Sequence, residues 1–198
     1  MFTLNRPTAA TLRAYLRRQR HERPTGGGPG RDGALITPAG SLVVHSRTRI
    51  GSGVDDYARA CDALRTWEMF HNGWSTVVPP DEPQRVDATI AIVARASGVW
   101  CLCACRVVRL FEEYDPGVSR SGVVLATLPG HVLRGAEQFV VEYHPSDGSV
   151  WFEIRSYSCP KSWVWGLVRP LIRRSQRRFV ADAAGAMRRA IALAEAGV

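Results

Sequence analysis

The stretch EQFVVEYHPSDGSVWFEIRSYS, residues 137–158, decides the fold. Its first part alternates: Glu137, Phe139, Val141 and Tyr143 share one side of an extended chain, and Gln138, Val140, Glu142 and His144 share the other, because successive side chains on a strand point to opposite faces. The second part alternates too, with Val150, Phe152, Ile154, Ser156 and Ser158 set against Trp151, Glu153, Arg155 and Tyr157. Between them Ser146-Asp147-Gly148 supplies a tight turn, so the two runs read as an antiparallel hairpin.

The same pattern extends upstream. Strands are expected over Leu42–Ile50, Trp74–Val78, Val86–Arg95, Val99–Glu112 and Gly122–Leu128, joined by short Pro- and Gly-bearing turns such as Asp115-Pro116-Gly117 and Pro129-Gly130. Val99–Glu112 is long for one regular strand and predicts a bend or bulge. Helical spacing appears in three places. One helix runs from Pro7 to Gln19, with Leu12, Tyr15 and Leu16 on its apolar side; a second is capped by Asp55 or Asp56 and runs to about His71. A long third helix starts at Pro170, with Leu171, Ile172, Ser175, Phe179, Ala183, Ala186, Ala190 and Leu193 along its buried stripe. Seven strands with helices at both ends give an α+β fold, either a strongly curved antiparallel sheet or a closed β-barrel around the C-terminal helix. The glycine-rich run TGGGPG at residues 25–30 sets the domain expectation: an N-terminal helix and linker over 1–33, and a single domain over 34–198.

Composition narrows the function classes. Of 198 residues, 45% are hydrophobic and 22% charged, as in chains that fold around their own core. No run approaches the roughly 18 apolar residues of a membrane span, and no apolar run follows the charges of residues 1–23, so no secretory leader is expected. The net charge of +8 is concentrated at the ends, where residues 1–31 and 169–189 carry +6 each while residues 32–168 carry −3. No nucleic-acid motif accompanies these arginines, which read as solvated helix faces, including Arg173, Arg177 and Arg188. No nucleic-acid partner is expected, and the residues carry nothing on oligomeric state.

Five cysteines stand at positions 61, 101, 103, 105 and 159. Alternation puts Cys101, Cys103 and Cys105 on one strand face about 6.5–7 Å apart, too far to share one zinc ion with bonds of about 2.3 Å. They read as small buried hydrophobes in a reducing, cytoplasmic setting. The chain lacks a Walker loop, a dinucleotide fingerprint and a Gly-X-Ser-X-Gly elbow, so neither metal nor cofactor is expected. The informative side chain is Glu137, a carboxyl on the face of Phe139, Val141 and Tyr143. It is either buried with a partner or lines a cavity, where burial raises its pKa and suits it to acid–base work. Thr127 and His131 precede it across a hairpin and converge on the same sheet end, completing the candidate catalytic set. Ser156 and Ser158 offer hydroxyls to the same interior, unless the face of Trp151 and Tyr157 is the inner one.

Three blocks carry a family resemblance: Gly51-Ser52-Gly53 with ACDALRTWEMF (residues 60–70) and Gly73-Trp74; TLPGH (127–131) with GAEQF (135–139); and SCP (158–160) followed by Arg169-Pro170, Arg173 and Gln176. Together, from about Pro38 to Gln176, they resemble the uncharacterised protein family 0548 of bacteria and plants. The chain departs from that pattern at Leu125-Ala126, where the family has Tyr-Gly, at Ala136 within its Gly-Glu-Glu, and at Gly26 in its Thr-Tyr. The resemblance implies a fold and a set of positions, and no activity comes with it. If these positions line a pocket, the ligand differs from that of the relatives, which makes Leu125 a ligand-facing candidate beside Ser156, Ser158, Phe139 and Tyr143. Two functions fit. One is a cofactor-free acid–base enzyme on an apolar small molecule, in concrete form a cyclase or dehydratase of polyketide-like secondary metabolism. The other is a non-catalytic small-molecule or lipid-binding domain.

Overall fold

The computed structural model describes residues 1–30, 33–96, 98–160 and 169–195. Eight antiparallel strands form one sheet: β1 (Phe2–Thr3), β2 (Leu42–Ser52), β3 (Ser75–Val78), β4 (Thr89–Ala96), β5 (Val99–Asp115), β6 (Val118–Thr127), β7 (Leu133–His144) and β8 (Ser149–Pro160). Their order is β2-β8-β7-β6-β5-β4-β3, with β1 added along the N-terminal end of β5. The hairpin of residues 137–158 forms as its alternation requires, with Phe139 opposite Ile154 and Val141 opposite Phe152. The long strand β5 carries the expected irregularity: Val107 pairs with Leu125 but Arg109 with Val124, leaving Val108 as the extra residue of a bulge. The sheet does not close. Strands β2 and β3 are its two edges and are not hydrogen-bonded to each other, so the closed-barrel alternative is not realised.

Helix α1 spans Ala9–Gln19, α2 Gly53–Arg65 and α3 Arg169–Glu195, with a single 3-10 turn at Glu68–Phe70. Helix α2 starts before the expected caps Asp55 and Asp56 and ends at Arg65, short of the expected His71, because Trp67 takes a left-handed backbone conformation (φ 64°) that stops it. Ser52 holds the N-cap position, and Asp56 reaches back to accept from the Ser52 N–H at 2.8 Å, which satisfies a backbone donor that the helix leaves free. Helices α2 and α3 lie on one face of the sheet. Their Ala60, Cys61, Leu64, Ala183, Ala184, Met187 and Ile191 join Val123, Leu125, Phe139, Val141, Val150, Phe152 and Ile154 of the strands in the main core. The inner face is therefore the face of Glu137. Leu193 is 55% exposed, so the buried stripe of α3 runs through Met187 and Ile191 instead. Arg173, Arg177 and Arg188 are exposed, as expected of its outer face, and Arg188 donates to the Arg49 carbonyl at 2.7 and 3.1 Å.

The opposite face holds the N-terminal segment. Tyr15 and Leu16 of α1 pack on Ala91, Leu102, Ala104 and Leu128 in a second, small core. The glycine-rich run is hydrogen-bonded to the sheet: Thr25 N–H donates to the Thr127 carbonyl at 2.7 Å, and the Tyr157 hydroxyl to the Gly27 carbonyl at 3.0 Å. A side chain at Gly26 would collide with the Gly135 carbonyl, and one at Gly135 with the carbonyl of Tyr157. Glycine at both positions is what lets the two backbones cross. Trp163 and Trp165, two of the aromatic residues of the sequence, lie outside the described residues.

Candidate functional site

Between the inner face of β4–β8 and the first half of α3 the structure leaves a cavity of about 510 Å³. Its walls are largely apolar: Ile92 and Ala94 from β4, Leu125 from β6, and Ile172, Phe179 and Val180 from α3. Phe70 and Phe179, stacked with centroids 5.4 Å apart, separate it from the packed core. Trp74, also in the wall, is held by its indole N–H donating to Asp182 Oδ2 at 2.8 Å and by an edge contact with Phe179. Gln176 fastens α3 to the sheet by donating to Ser158 Oγ at 3.1 Å.

One rung of the sheet brings several predicted residues together. Leu125, Glu137 and Ser156 are register partners on β6, β7 and β8, and Val44 of β2 completes the row. All four line the cavity. The Glu137 carboxyl has no hydrogen-bond or cationic partner among the described residues, and burial alone pushes its pKa up to about 7. The charge of that carboxylate in turn adds to the burial that holds the neighbouring Cys105 thiol well above its usual range.

Two buried glutamates of the same sheet show the contrast. On the outer face, Glu142 accepts from Arg47 Nε and Arg120 Nε, both at 2.9 Å. Burial pushes the Glu142 carboxyl up, but the hydrogen bonds and charges of the two arginines prevail and hold it below its usual value. Glu153 lies against His45 Nε2 at 2.6 Å and Arg155 Nε at 2.8 Å. These two buried carboxylates are paired; Glu137, half-buried and open to the cavity, is not.

Thr127 and His131 also line the cavity. Their polar atoms are largely engaged by backbone, however. Thr127 Oγ1 accepts from the Gly135 N–H at 2.9 Å and hydrogen-bonds Thr25 Oγ1 at 3.0 Å. His131 Nδ1 accepts from the Leu133 N–H at 2.9 Å. Phe139 and Tyr143 do not line the cavity. Phe139 is fully buried beneath it, packed on Phe70, Phe152 and Phe179, and Tyr143 lies further along β7 against Tyr57, centroids 5.7 Å apart. Sharing a strand face with Glu137 was not enough, because the cavity occupies only one end of that face.

The thiols are the group that reading them as packing left out. Cys101, Cys103 and Cys105 all line the cavity, and the Cys101 and Cys103 sulfurs are 3.3 Å apart instead of the 6.5–7 Å of an idealised strand, since side chains on a strand lean along it as well as outward. The Cys-X-Cys-X-Cys spacing was the available signal. Among the described residues, no group of three or more His, Cys, Asp or Glu is placed to hold a metal ion, and no helix is long and apolar enough to cross a membrane.

Comparison with known proteins bears out the resemblance read from the three sequence blocks. A family model described as a domain of unknown function, DUF1990, matches residues 30–186. The chain belongs to this family. A UPF0548 protein of Deinococcus radiodurans is 32% identical over 190 residues, covering 90% of this DUF1990 chain and 92% of that protein. A UPF0548 protein of Dictyostelium discoideum is 30% identical over 152 residues, covering 73% of this chain and 70% of the other. Among solved structures, a Thermus thermophilus protein matches at a TM-score of 0.49 and 17% identity, over 77% of this chain and 99% of its own.

Proposed function

We propose that this DUF1990 chain is a cofactor-free acid–base enzyme that takes an apolar small molecule into the cavity and moves a proton on it through Glu137. The observation that carries this reading is an unpaired carboxyl facing an apolar cavity, in a fold that pairs its two buried glutamates. An unpartnered buried carboxyl costs stability, and chemistry is a reason to keep it. With a pKa near 7, Glu137 is present in both protonation states at neutral pH, the condition under which one group serves as base and then as acid. A volume of about 510 Å³ is within the range of pockets that enclose drug-sized ligands.

The concrete form we favour is dehydration or ring closure of a polyketide-like compound. In a dehydration, the Glu137 carboxylate takes the proton α to a carbonyl, the hydroxyl on the β carbon departs, and the carboxylic acid returns the proton to it. The products are an enone and water, and Glu137 ends as it began. The second reading, a binding domain for small molecules or lipids, is favoured by one observation: Thr127 Oγ1 and His131 Nδ1, two of the expected proton-transfer atoms, accept from backbone N–H groups.

The test uses the aldol adduct of benzaldehyde and acetone as substrate, with appearance of the conjugated enone followed by absorbance. Glu137→Gln keeps the shape but cannot exchange a proton, so turnover is expected to fall by about 10²–10⁴-fold while binding of the saturated analogue benzylacetone persists. A folded variant with wild-type turnover removes Glu137 from the chemistry. Binding of benzylacetone with no turnover by the wild-type protein favours the binding domain.

A further inference from the structure

The thiol row on β5 faces the same cavity and takes no part in the chemistry assigned to Glu137. We propose that Cys101 is a covalent-addition site for α,β-unsaturated carbonyl compounds held in the cavity, with Cys103 donating the hydrogen bond that supports the attacking sulfur. The proposal rests on the reading of the cavity as a small-molecule site, and not on the acid–base role of Glu137.

Position sets the Cys101–Cys103 pair apart from the other three cysteines. The two sulfurs are 3.3 Å apart, and both open on the cavity. Strand β1 lies along this end of β5, with Phe2 in register with Cys101 and the Met1 nitrogen donating to the Leu102 carbonyl at 2.9 Å and the Gly130 carbonyl at 3.2 Å. The hydrogen bond it shares with Cys103 outweighs burial and, with the charge of the Met1 nitrogen, holds Cys101 below the usual thiol range. The same hydrogen bond and burial hold Cys103 above it.

The other thiols are differently placed. Cys105 is buried beside the Glu137 carboxylate, which opposes a second negative charge. Cys61 is buried in the main core. Cys159 is not in the cavity wall and has the Ser41 hydroxyl 3.1 Å from its sulfur. One activated sulfur in an apolar chamber meets the needs of a soft nucleophile for a soft, apolar electrophile. Cys101 lies four residues along β5 from Cys105, the thiol beside Glu137.

The step is an addition. The Cys101 thiolate forms a carbon–sulfur bond at the β carbon, the π pair of the double bond moves onto the carbonyl as an enolate, and a proton equivalent to the one lost by the thiol is taken up at the α carbon. One thiol and one enone become one thioether, with no leaving group and no oxidant.

The test incubates the full chain with phenyl vinyl ketone near pH 7 and reads intact mass, peptide mapping and rate, with free cysteine as reference. Binding of the saturated analogue propiophenone is measured by thermal shift. A single adduct on Cys101, formed at least about tenfold faster than on free cysteine and slowed by propiophenone, is expected. Cys101→Ser abolishes it, and Cys103→Ala slows it about tenfold with the melting transition retained. Adducts on Cys159 or spread over several thiols, or a Cys101 rate equal to free cysteine, overturn the proposal. If propiophenone binds and Cys101 stays unmodified, the addition site fails while the cavity reading stands. If propiophenone does not bind and Cys101 stays unmodified, both fail. Modification of Cys101 in a protein whose Glu137→Gln variant keeps wild-type turnover supports this proposal and removes only the acid–base role.

Discussion

Replacing Glu137 by glutamine tests the electrostatics of the cavity without knowledge of any ligand. Burial raises the Glu137 pKa from the ordinary 4.5 to about 7, so between those values the native chain holds a proton that the unfolded chain has released. Stability then falls as pH rises, at about 1.4 kcal/mol for each pH unit in the window. Across the whole window the loss is about 3 kcal/mol, and solvation from the cavity side brings it nearer to about 2. The contribution is fully present below pH 4.5 and is lost by the time pH has passed 7. Glu137→Gln cannot ionise, so at pH 5 the two proteins are expected to lie within about 1 kcal/mol, and at pH 8 the variant to be the more stable by about 2–3 kcal/mol. For a chain of this length that is roughly 4–12 °C in melting temperature. The assay is denaturant unfolding of both proteins at pH 5, 6, 7 and 8, with the slopes compared to confirm that the same surface unfolds. Parallel stability curves for the two proteins refute the reasoning, because they mean that the Glu137 carboxyl is solvated or paired.

Two further predictions concern the outer face. Glu142 behaves in the opposite sense: Arg120 and Arg47 hold its pKa below 4.5 despite burial, so its contribution is present above that value and is lost as pH falls through the depressed native value. Glu142→Gln is therefore expected to be less stable than wild type by about 1–3 kcal/mol at neutral pH, with the gap closing in acid; a gap unchanged at low pH, read by denaturant unfolding, contradicts this. Tyr15 anchors the N-terminal segment by donating to the Gly130 carbonyl at 2.8 Å and the Leu102 carbonyl at 3.0 Å and accepting from the Ala104 N–H at 3.1 Å. Tyr15→Phe is expected to cost about 1–3 kcal/mol and to speed proteolysis within residues 20–30; an unchanged cleavage rate shows that the segment is held by other contacts.

Much of the fold was legible in the residues. Period-two alternation gave the strand faces of β7 and β8, the turn at Ser146-Asp147-Gly148 gave their pairing, and the length of β5 gave its bulge. Helical spacing placed α1 and α3 to within a few residues and found α2, but carried α2 to about His71 where it ends at Arg65. The site was legible in part. Leu125, Glu137 and Ser156 could be chosen singly, since alternation relates residues along one strand, while their alignment in one rung comes from register across three strands.

What the tertiary structure alone decided follows from the limits of local patterns. Alternation sorts side chains into two faces but cannot say which face a helix covers, and it was the packing of α2 and α3 that put Glu137 inside. Whether a curved sheet closes depends on where its edge strands end relative to each other, a relation between β2 and β3 that no local sequence pattern encodes. The cavity fills only the end of the inner face under the first half of α3, which is why Phe139 became floor and Tyr143 fell outside, although both share the face of Glu137. The Cys101 and Cys103 sulfurs lie within hydrogen-bonding distance, and β1 brings Phe2 into register with Cys101 from far along the sequence, relations that the spacing of the cysteines does not state. The residues by themselves specified elements and faces; closure, coverage and contact between distant segments required the folded chain.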